Sequence, residues 1–414
     1  MSTAIPKSLE PRERIAIWLI GSGHLVSHFY HMVLPMMFPF IVSDLGVSVT
    51  EIAFSMTLYF VSTAIVQVPI GLLVDKVGAR VILIAGMVLM GCAMVIAGLL
   101  PNYLVILSAA FIAGIGNAVF HPADFSILSA SVRRSHHGKA FASHTFGGSI
   151  GYAAAPMVMV PLGTIFGWQT ALIFAGLLSI GMAIILVLFG KTLRDENIDT
   201  SKLEAPGVTK DHAKKADWRI MLTRPLILFF LFYVASSASG TGMTSFAILA
   251  LPLVYDVTPE IAGVFVTCFL AAAIVGALPG GWLADWSRFE YLVVVACFLV
   301  LAACLILLGT GGLSLWLVFA TGVMGGLMRG LYNASRDILV RRASPPGSVG
   351  TAFGFVTLGY TLGQGGTPLL YGWLMDNSLG NEVFYVSAAF ALVATHNGLY
   401  RGLFRRMCFV LGEF

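Results

Sequence analysis

Apolar residues in this chain run together in long blocks, at about 15–42, 51–74, 81–100, 103–131, 140–163 and 168–189, then at 225–254, 261–284, 290–310, 315–340, 349–374 and 383–402. At about 1.5 Å of rise per helical residue, a run of twenty or so matches the roughly 30 Å hydrocarbon core of a bilayer, so each block predicts one membrane-spanning helix. Between the sixth and seventh blocks, Lys191, Arg194, Asp195, Glu196, Asp199, Lys202, Glu204, Lys210, Asp211, Lys214 and Lys215 crowd around Pro206 and Gly207. That segment reads as a solvated linker. The expected organisation is an N-terminal six-helix bundle over 1–189, a linker over 190–224 and a C-terminal six-helix bundle over 225–414. The polar start, Met1 to Arg14, leads into an apolar block too long for a signal-peptide core, so that block is read as the first spanning helix.

Charge then fixes an expected orientation, because loops rich in Lys and Arg stay cytoplasmic. With twelve spans and both termini inside, every Lys and Arg except Arg329 falls on the cytoplasmic side, while Asp44, Glu51, Asp256, Glu260, Asp376 and Glu382 fall on the other. An odd number of spans would scatter the basic residues over both sides. The chain also repeats itself. Pro69, Gly71 and Asp75 recur as Pro279, Gly281 and Asp285; Glu51-Ile52-Ala53 as Glu260-Ile261-Ala262; Val132-Arg133-Arg134 as Val340-Arg341-Arg342; and Gly147, Gly151 and Pro156 as Gly359, Gly363 and Pro368. Matches in one order at nearly one offset predict two pseudo-symmetric halves.

Composition supports this picture. The chain is 58% hydrophobic and 11% charged, with mean hydropathy +0.89, against about 45–50% apolar and about 25% charged in an ordinary soluble domain. A water-soluble fold is excluded. The net charge of +4 lies in short loops, where topology accounts for it, so no nucleic-acid partner is expected. Cys92, Cys268, Cys297 and Cys304 sit inside apolar blocks and Cys408 near the C-terminus, so neither a disulfide framework nor a thiolate metal site is indicated.

The loop Gly71-Leu72-Leu73-Val74-Asp75-Lys76-Val77-Gly78-Ala79-Arg80 ends one helix, turns on Gly78 and places a carboxylate between two cations. Read plainly, it is a tight turn. Its spacing resembles the signature loop of the major facilitator superfamily, Gly-x-Leu-x-Asp-Arg/Lys-x-Gly-x-Arg/Lys, and Gly281-Trp282-Leu283-Ala284-Asp285-Trp286-Ser287-Arg288 resembles a degraded second copy. The resemblance extends to the twelve blocks and the repeat. It implies an all-α integral membrane protein with the major facilitator fold, in which Asp75, with Lys76 and Arg80, latches a cytoplasmic gate and Asp285 is the weaker counterpart. The fifth block, Gly147-Gly148-Ser149-Ile150-Gly151-Tyr152-Ala153-Ala154-Ala155-Pro156, has small residues four apart that allow close helix packing. It also resembles that superfamily's antiporter motif, with Ala155 in place of the last Gly, which implies efflux by antiport over uptake.

Ionisable side chains at membrane depth are costly, about 2.5–3.5 kcal/mol for a charged Asp, Lys or Arg at the helix centre on insertion scales, so they mark a pathway. His24, His28 and His31 are spaced four and three apart and share one helical face. They line a cavity or simply pack; a metal site is the weaker reading, since neither thiolates nor clustered carboxylates accompany them. The fourth block carries Asn117, His121, Pro122 and Asp124, and the fifth begins near His144. Asp124 and His144 fall at comparable depth, where they could exchange a proton or brace two helices as a static pair. In the repeat His121 corresponds to Arg329, the one cation deep in a span, which needs a carboxylate, an anionic substrate or water. Arg336 and Asp337 lie near a helix end and read as a gate or cap. The stretches His24 to Pro39, Gly116 to Pro122 and Ser335-Arg336-Asp337 resemble the fosmidomycin-resistance-type branch of proton-driven exporters. Where that branch tends to carry an Asp beside its first-helix histidine, this chain has His28-Phe29-Tyr30-His31.

The sequence therefore predicts a proton-coupled secondary transporter of a small polar or anionic molecule, working by alternating access in a bacterial inner membrane. His28, His31, Asn117, His121, Arg329 and Tyr332 are the expected substrate-binding residues, with Tyr30, Tyr233 and Gln364 as further lining groups. Asp124 and His144 are expected to handle protons; Asp75, Lys76, Arg80, Asp285, Arg336 and Asp337 are expected to gate. The expected partners are a small molecule, protons and the lipid bilayer, with the proton gradient as energy source, no cofactor or metal, and a monomeric chain. The rival within transport is uptake of an organic anion or a metal ion. An enzyme is disfavoured because His-Glu-x-x-His does not occur, and a transport-inactive sensor would be revealed by binding without flux.

Overall fold

The computed structural model describes residues 8–194, 221–286, 289–344 and 349–411; the side chains of Asp285 and of residues 349–350 and 396–411 lie outside that description. The helices are α1 (Pro11–Leu45), α2 (Val49–Val77), α3 (Ala79–Leu99), α4 (Tyr103–Asn117), α5 (Phe120–Ser131), α6 (His137–Phe166), α7 (Trp168–Phe189), α8 (Arg224–Thr241), α9 (Ala247–Tyr255), α10 (Pro259–Trp286), α11 (Glu290–Gly309), α12 (Leu315–Ala343), α13 (Val349–Gly366), α14 (Pro368–Asp376) and α15 (Gly380–Leu411). Ten helical stretches among the described residues are long and apolar enough to cross a membrane. The blocks expected at 349–374 and 383–402 are helical too, as α13 with α14 and as α15.

Three expected spans are interrupted, each where backbone hydrogen bonding is perturbed. Ala118 and Val119 form a turn between α4 and α5; Pro122 has no N–H to offer the carbonyl four residues back, so the ladder fails there. Thr367 separates α13 from α14 for the same reason, with Pro368 beginning the new helix. Between α8 and α9 lies a buried π-helical turn, Gly242–Phe246, a feature that recurs at functional positions.

By packing, the chain divides into two units: residues Met1–Leu34 with Val61–Asp211, and Pro35–Phe60 with His212–Phe414. In the first unit, α1 and α6 approach at the small residues of the fifth block. A Cβ on Gly147 would fall on the Gly21 carbonyl oxygen, and one on Gly151 on that of Leu25. In the second unit the repeat does the same, since a Cβ on Gly359 or Gly363 would meet the Phe230 or Val234 carbonyl oxygen of α8. Gly151→Ala is therefore expected to overpack this seam and destabilise the chain by about 1–3 kcal/mol, read as a lower unfolding temperature of the detergent-purified protein. An unchanged unfolding temperature would show that the seam can relax.

Charged groups fasten helix ends within each unit. Glu13, 4% exposed, accepts from the Arg133 backbone N–H (2.9 Å) and from its Nε and Nη2 (both 2.8 Å). Glu290, 3% exposed, is held likewise by Arg342 at 2.7 and 2.9 Å. The start of α2 is doubly capped. Ser48 and Glu51 form a reciprocal capping box at 2.7 and 3.1 Å. The next donors, Val49 N–H and Thr50 N–H, go to Asp376 at the end of α14, at 2.6 and 2.9 Å, and the Thr50 hydroxyl joins them at 2.5 Å. A carboxylate there meets the positive end of the α2 dipole. Asp376→Ala should cost about 1–2 kcal/mol, the range for a lost N-terminal cap, again read in thermal unfolding, with Asp376→Asn losing less because its amide oxygen still accepts.

Candidate functional site

The first unit gathers nearly all the buried ionisable groups that the sequence singles out. His24, His28 and His31 project from one stripe of α1, Asn117 ends α4, His121 and Asp124 open α5, and His144 and Tyr152 come from α6. Gly148 makes the convergence possible, since a Cβ there would lie 2.7 Å from His28 Nδ1 and 2.9 Å from His24 Cδ2. The small residues of α6 thus hold two backbones together and leave space for imidazoles.

Asp124 is fully buried, and its Oδ2 serves two histidines. His144 Nε2 hydrogen-bonds it at 3.0 Å, and His24 Nδ1 lies 3.2 Å from the same oxygen, at ion-pair distance. Both histidines are 3% exposed, and their rings stack with centroids 3.5 Å apart. Oδ1 of Asp124 has no hydrogen-bond partner. His24 Nδ1 is close to the carboxylate without hydrogen-bonding it, so Asp124 has one hydrogen-bonded imidazole, one imidazole at ion-pair distance and an unused acceptor. A buried carboxylate oxygen without a partner is costly unless it is protonated or meets a donor.

A second polar chain runs beside it. Ser27 Oγ donates to Asn117 Oδ1 at 2.7 Å, so the Asn117 amide is left to donate to His31 Nε2, 3.3 Å away. By that logic the His31 proton sits on Nδ1 and points at the Tyr152 hydroxyl oxygen, 2.5 Å distant. His28 joins the two groups, its ring centroid 4.4 Å from His24, 5.3 Å from His31 and 4.7 Å from Tyr152. His121 is exposed, with its ring 5.2 Å from that of His24. Donor atoms of His24, His28 and His121, and of His24, Asp124 and His144, lie within 4.8 Å of one another. Such imidazole and carboxylate sets are chemically able to meet a borderline metal or to share a proton.

The second unit carries Arg329 and Arg336. Arg329 on α12 donates from Nη2 to the Tyr360 hydroxyl at 3.0 Å, and Gly240 on α8 leaves room for its guanidinium. Arg336, two turns further along α12, donates from Nε to Asp337 Oδ1 at 2.9 Å, and Tyr233 donates to the same oxygen at 3.2 Å. Tyr332 is 3% exposed, with its hydroxyl 3.0 Å from Ser236 Oγ. At the offset that pairs His121 with Arg329, Asp124 pairs with Tyr332, so the second half has an uncharged tyrosine where the first has its buried carboxylate.

The remaining expected residues are placed as follows. Asp75 and Lys76 are exposed at the end of α2, and Arg80 donates to the Gly190 carbonyl at 2.9 Å. Gly78 makes the turn between them with a φ of 105°. The Asp285 side chain lies outside the described residues. Tyr30, expected as a lining group, packs instead: it is 4% exposed and its hydroxyl donates to the Ala175 carbonyl at 2.8 Å. Two participants lie outside the roles that the sequence pattern assigns. His24 completes the Asp124 trio, and Tyr152 ends the second chain; the stripe spacing signals the first, and no pattern signals the second.

Comparison with known proteins gives these residues a context. A family model described as Major Facilitator Superfamily matches residues 20–249 and again 231–406. The chain is 22% identical to the fosmidomycin resistance protein of Escherichia coli (strain K12), over 90% of this chain and 88% of that protein. It is 23% identical to the probable L-galactonate transporter of the same strain, over 59% of this chain and 55% of the relative's length. Its fold is similar to the crystal structure of a bacterial homolog to the human lysosomal transporter Spinster, with TM-score 0.75 and 16% identity, covering 94% of this chain and 97% of the other.

Proposed function

Because the chain belongs to the major facilitator superfamily, we propose that it is a proton-coupled secondary transporter that exports a small organic anion by antiport across a bacterial inner membrane. The halves 1–189 and 225–414, joined by the linker 190–224, alternate access to a midplane site. Both termini are cytoplasmic, the chain works as a monomer, and the proton gradient supplies the energy without a cofactor. The carrying observation is the Asp124 trio, in which one buried carboxylate oxygen meets two imidazoles while the other has no partner. The unpartnered oxygen favours a proton carrier over a static brace.

Roles follow from placement. Asp124, His144 and His24 hold and release the proton. His28 connects them to His31, Asn117 and Tyr152, so a change in the trio reaches hydrogen-bonding groups able to contact a polar molecule. Arg329 supplies the charge that selects an anion. Asp75, Lys76, Arg80 and Asp285 gate one end. The names of two relatives agree with this reading, since galactonate is a carboxylate and fosmidomycin resistance fits export.

The test is counterflow in proteoliposomes with L-galactonate, fosmidomycin and, as a neutral control, galactose, under imposed pH gradients. Antiport predicts that a lumen more acidic than the bath drives anion accumulation. Accumulation driven only by the opposite gradient would reassign the chain to symport uptake, and exchange indifferent to both would remove proton coupling.

A further inference from the structure

Arg336 has a feature that gating leaves unused. Its side chain is 17% exposed, and the guanidinium is oriented from three directions. Asp337 Oδ1 holds Nε at 2.9 Å, the Tyr233 ring lies 4.9 Å from the guanidinium carbon, and the Tyr332 ring lies 5.8 Å from it. Tyr233 and Tyr332 are themselves fixed, one donating to Asp337 and the other bound to Ser236. Among the described residues neither Nη group of Arg336 has a hydrogen-bond partner. Two coplanar amino groups with four N–H bonds are therefore pre-aligned, and a planar guanidinium held this way fits an oxyanion bidentately. Contact of the cation with the two tyrosine rings restrains the guanidinium and lowers the entropic cost of binding.

We propose that Arg336 is a second oxyanion-binding site, distinct from Arg329, which receives the carboxylate, sulfonate or phosphonate group of the transported molecule end-on between its two Nη groups. The site lies seven residues from Arg329 on the same face of α12, about 10.5 Å along the axis. An anion released by one guanidinium can thus be met by the other. Asp337 anchors Nε and leaves the paired amino groups to the ligand. That the ligand is the transported molecule rests on the transport reading above; the oxyanion site itself does not.

The experiment is arginine labelling with phenylglyoxal, which condenses with unengaged guanidiniums, on the full detergent-purified chain with inorganic sulfate as the probe. Modification is read residue by residue by peptide mass spectrometry. Sulfate at ten times its apparent Kd should slow labelling of Arg336 about tenfold, because only empty sites react, while exposed Arg341 is unaffected. Arg336→Lys keeps the charge without the planar pair. In that variant the rise of unfolding temperature with sulfate should shrink, while protection of Arg329 persists. Labelling of Arg336 at the same rate with and without sulfate, or no labelling in its absence, would overturn the site. Protection confined to Arg329 would overturn it too while leaving the anion role of Arg329 intact, so failure of the two ideas is separable.

Discussion

Asp124→Asn should abolish accumulation driven by a pH gradient while leaving substrate counterflow largely in place. Asparagine keeps an oxygen to accept from His144, so the helices remain joined, but it cannot take up the proton. Coupling free energies between two ligands are typically about 1–3 kcal/mol, or roughly 5- to 150-fold. The accumulation ratio in proteoliposomes is expected to fall by a factor in that range, toward the level set by exchange alone. Equal loss of counterflow and gradient-driven transport would mean that Asp124 is a structural brace. His24→Gln and His144→Gln should weaken coupling less than the loss of Asp124, since each leaves the carboxylate one imidazole partner.

The second large effect is at Arg329. Truncating one partner of a desolvated, charge-assisted contact costs about 2–5 kcal/mol, so Arg329→Ala should raise the apparent KM for an anionic substrate at least about 30-fold. Arg329→Lys should recover part of this loss, because it restores charge without bidentate geometry. Response to the pH gradient by whatever transport remains should survive, since the proton trio lies in the other unit. A KM unchanged in Arg329→Ala, measured by counterflow across a substrate concentration series, would remove Arg329 from the substrate path.

The spans were legible because two independent physical signals agree, the length of the apolar runs and the sidedness of Lys and Arg. Their interruptions were not. Hydropathy does not register a missing N–H, so the turn at Ala118 and Val119 and the break before Pro368 are invisible to it, although Pro122 and Pro368 stand beside them. The π-helical turn at Gly242–Phe246 has no hydropathy signal either.

The candidate site was partly legible in the same sense. Matching the depth of Asp124 to that of His144 anticipated their contact, now a 3.0 Å hydrogen bond. Grouping His28 and His31 for substrate while leaving His24 aside separated residues that share one stripe. Which ring reaches Asp124 depends on the opposite helix, where Gly148 leaves the space, and a single helix cannot reveal that. Tyr30 shows the converse. It lies two residues, about 200° of helix rotation, from His28, so helical geometry alone already directs it to the Ala175 carbonyl on α7 and away from the histidine stripe.

Infrared difference spectroscopy of the reconstituted chain, recorded on addition of a transported anion, observes the protonation of a buried carboxyl directly. If Asp124 carries the proton that is exchanged for substrate, the carboxylic C=O stretch of the native protein will change in intensity, and Asp124→Asn will lose that band. Indistinguishable difference spectra from the native chain and Asp124→Asn, with transport of substrate and proton intact in both, would contradict the account.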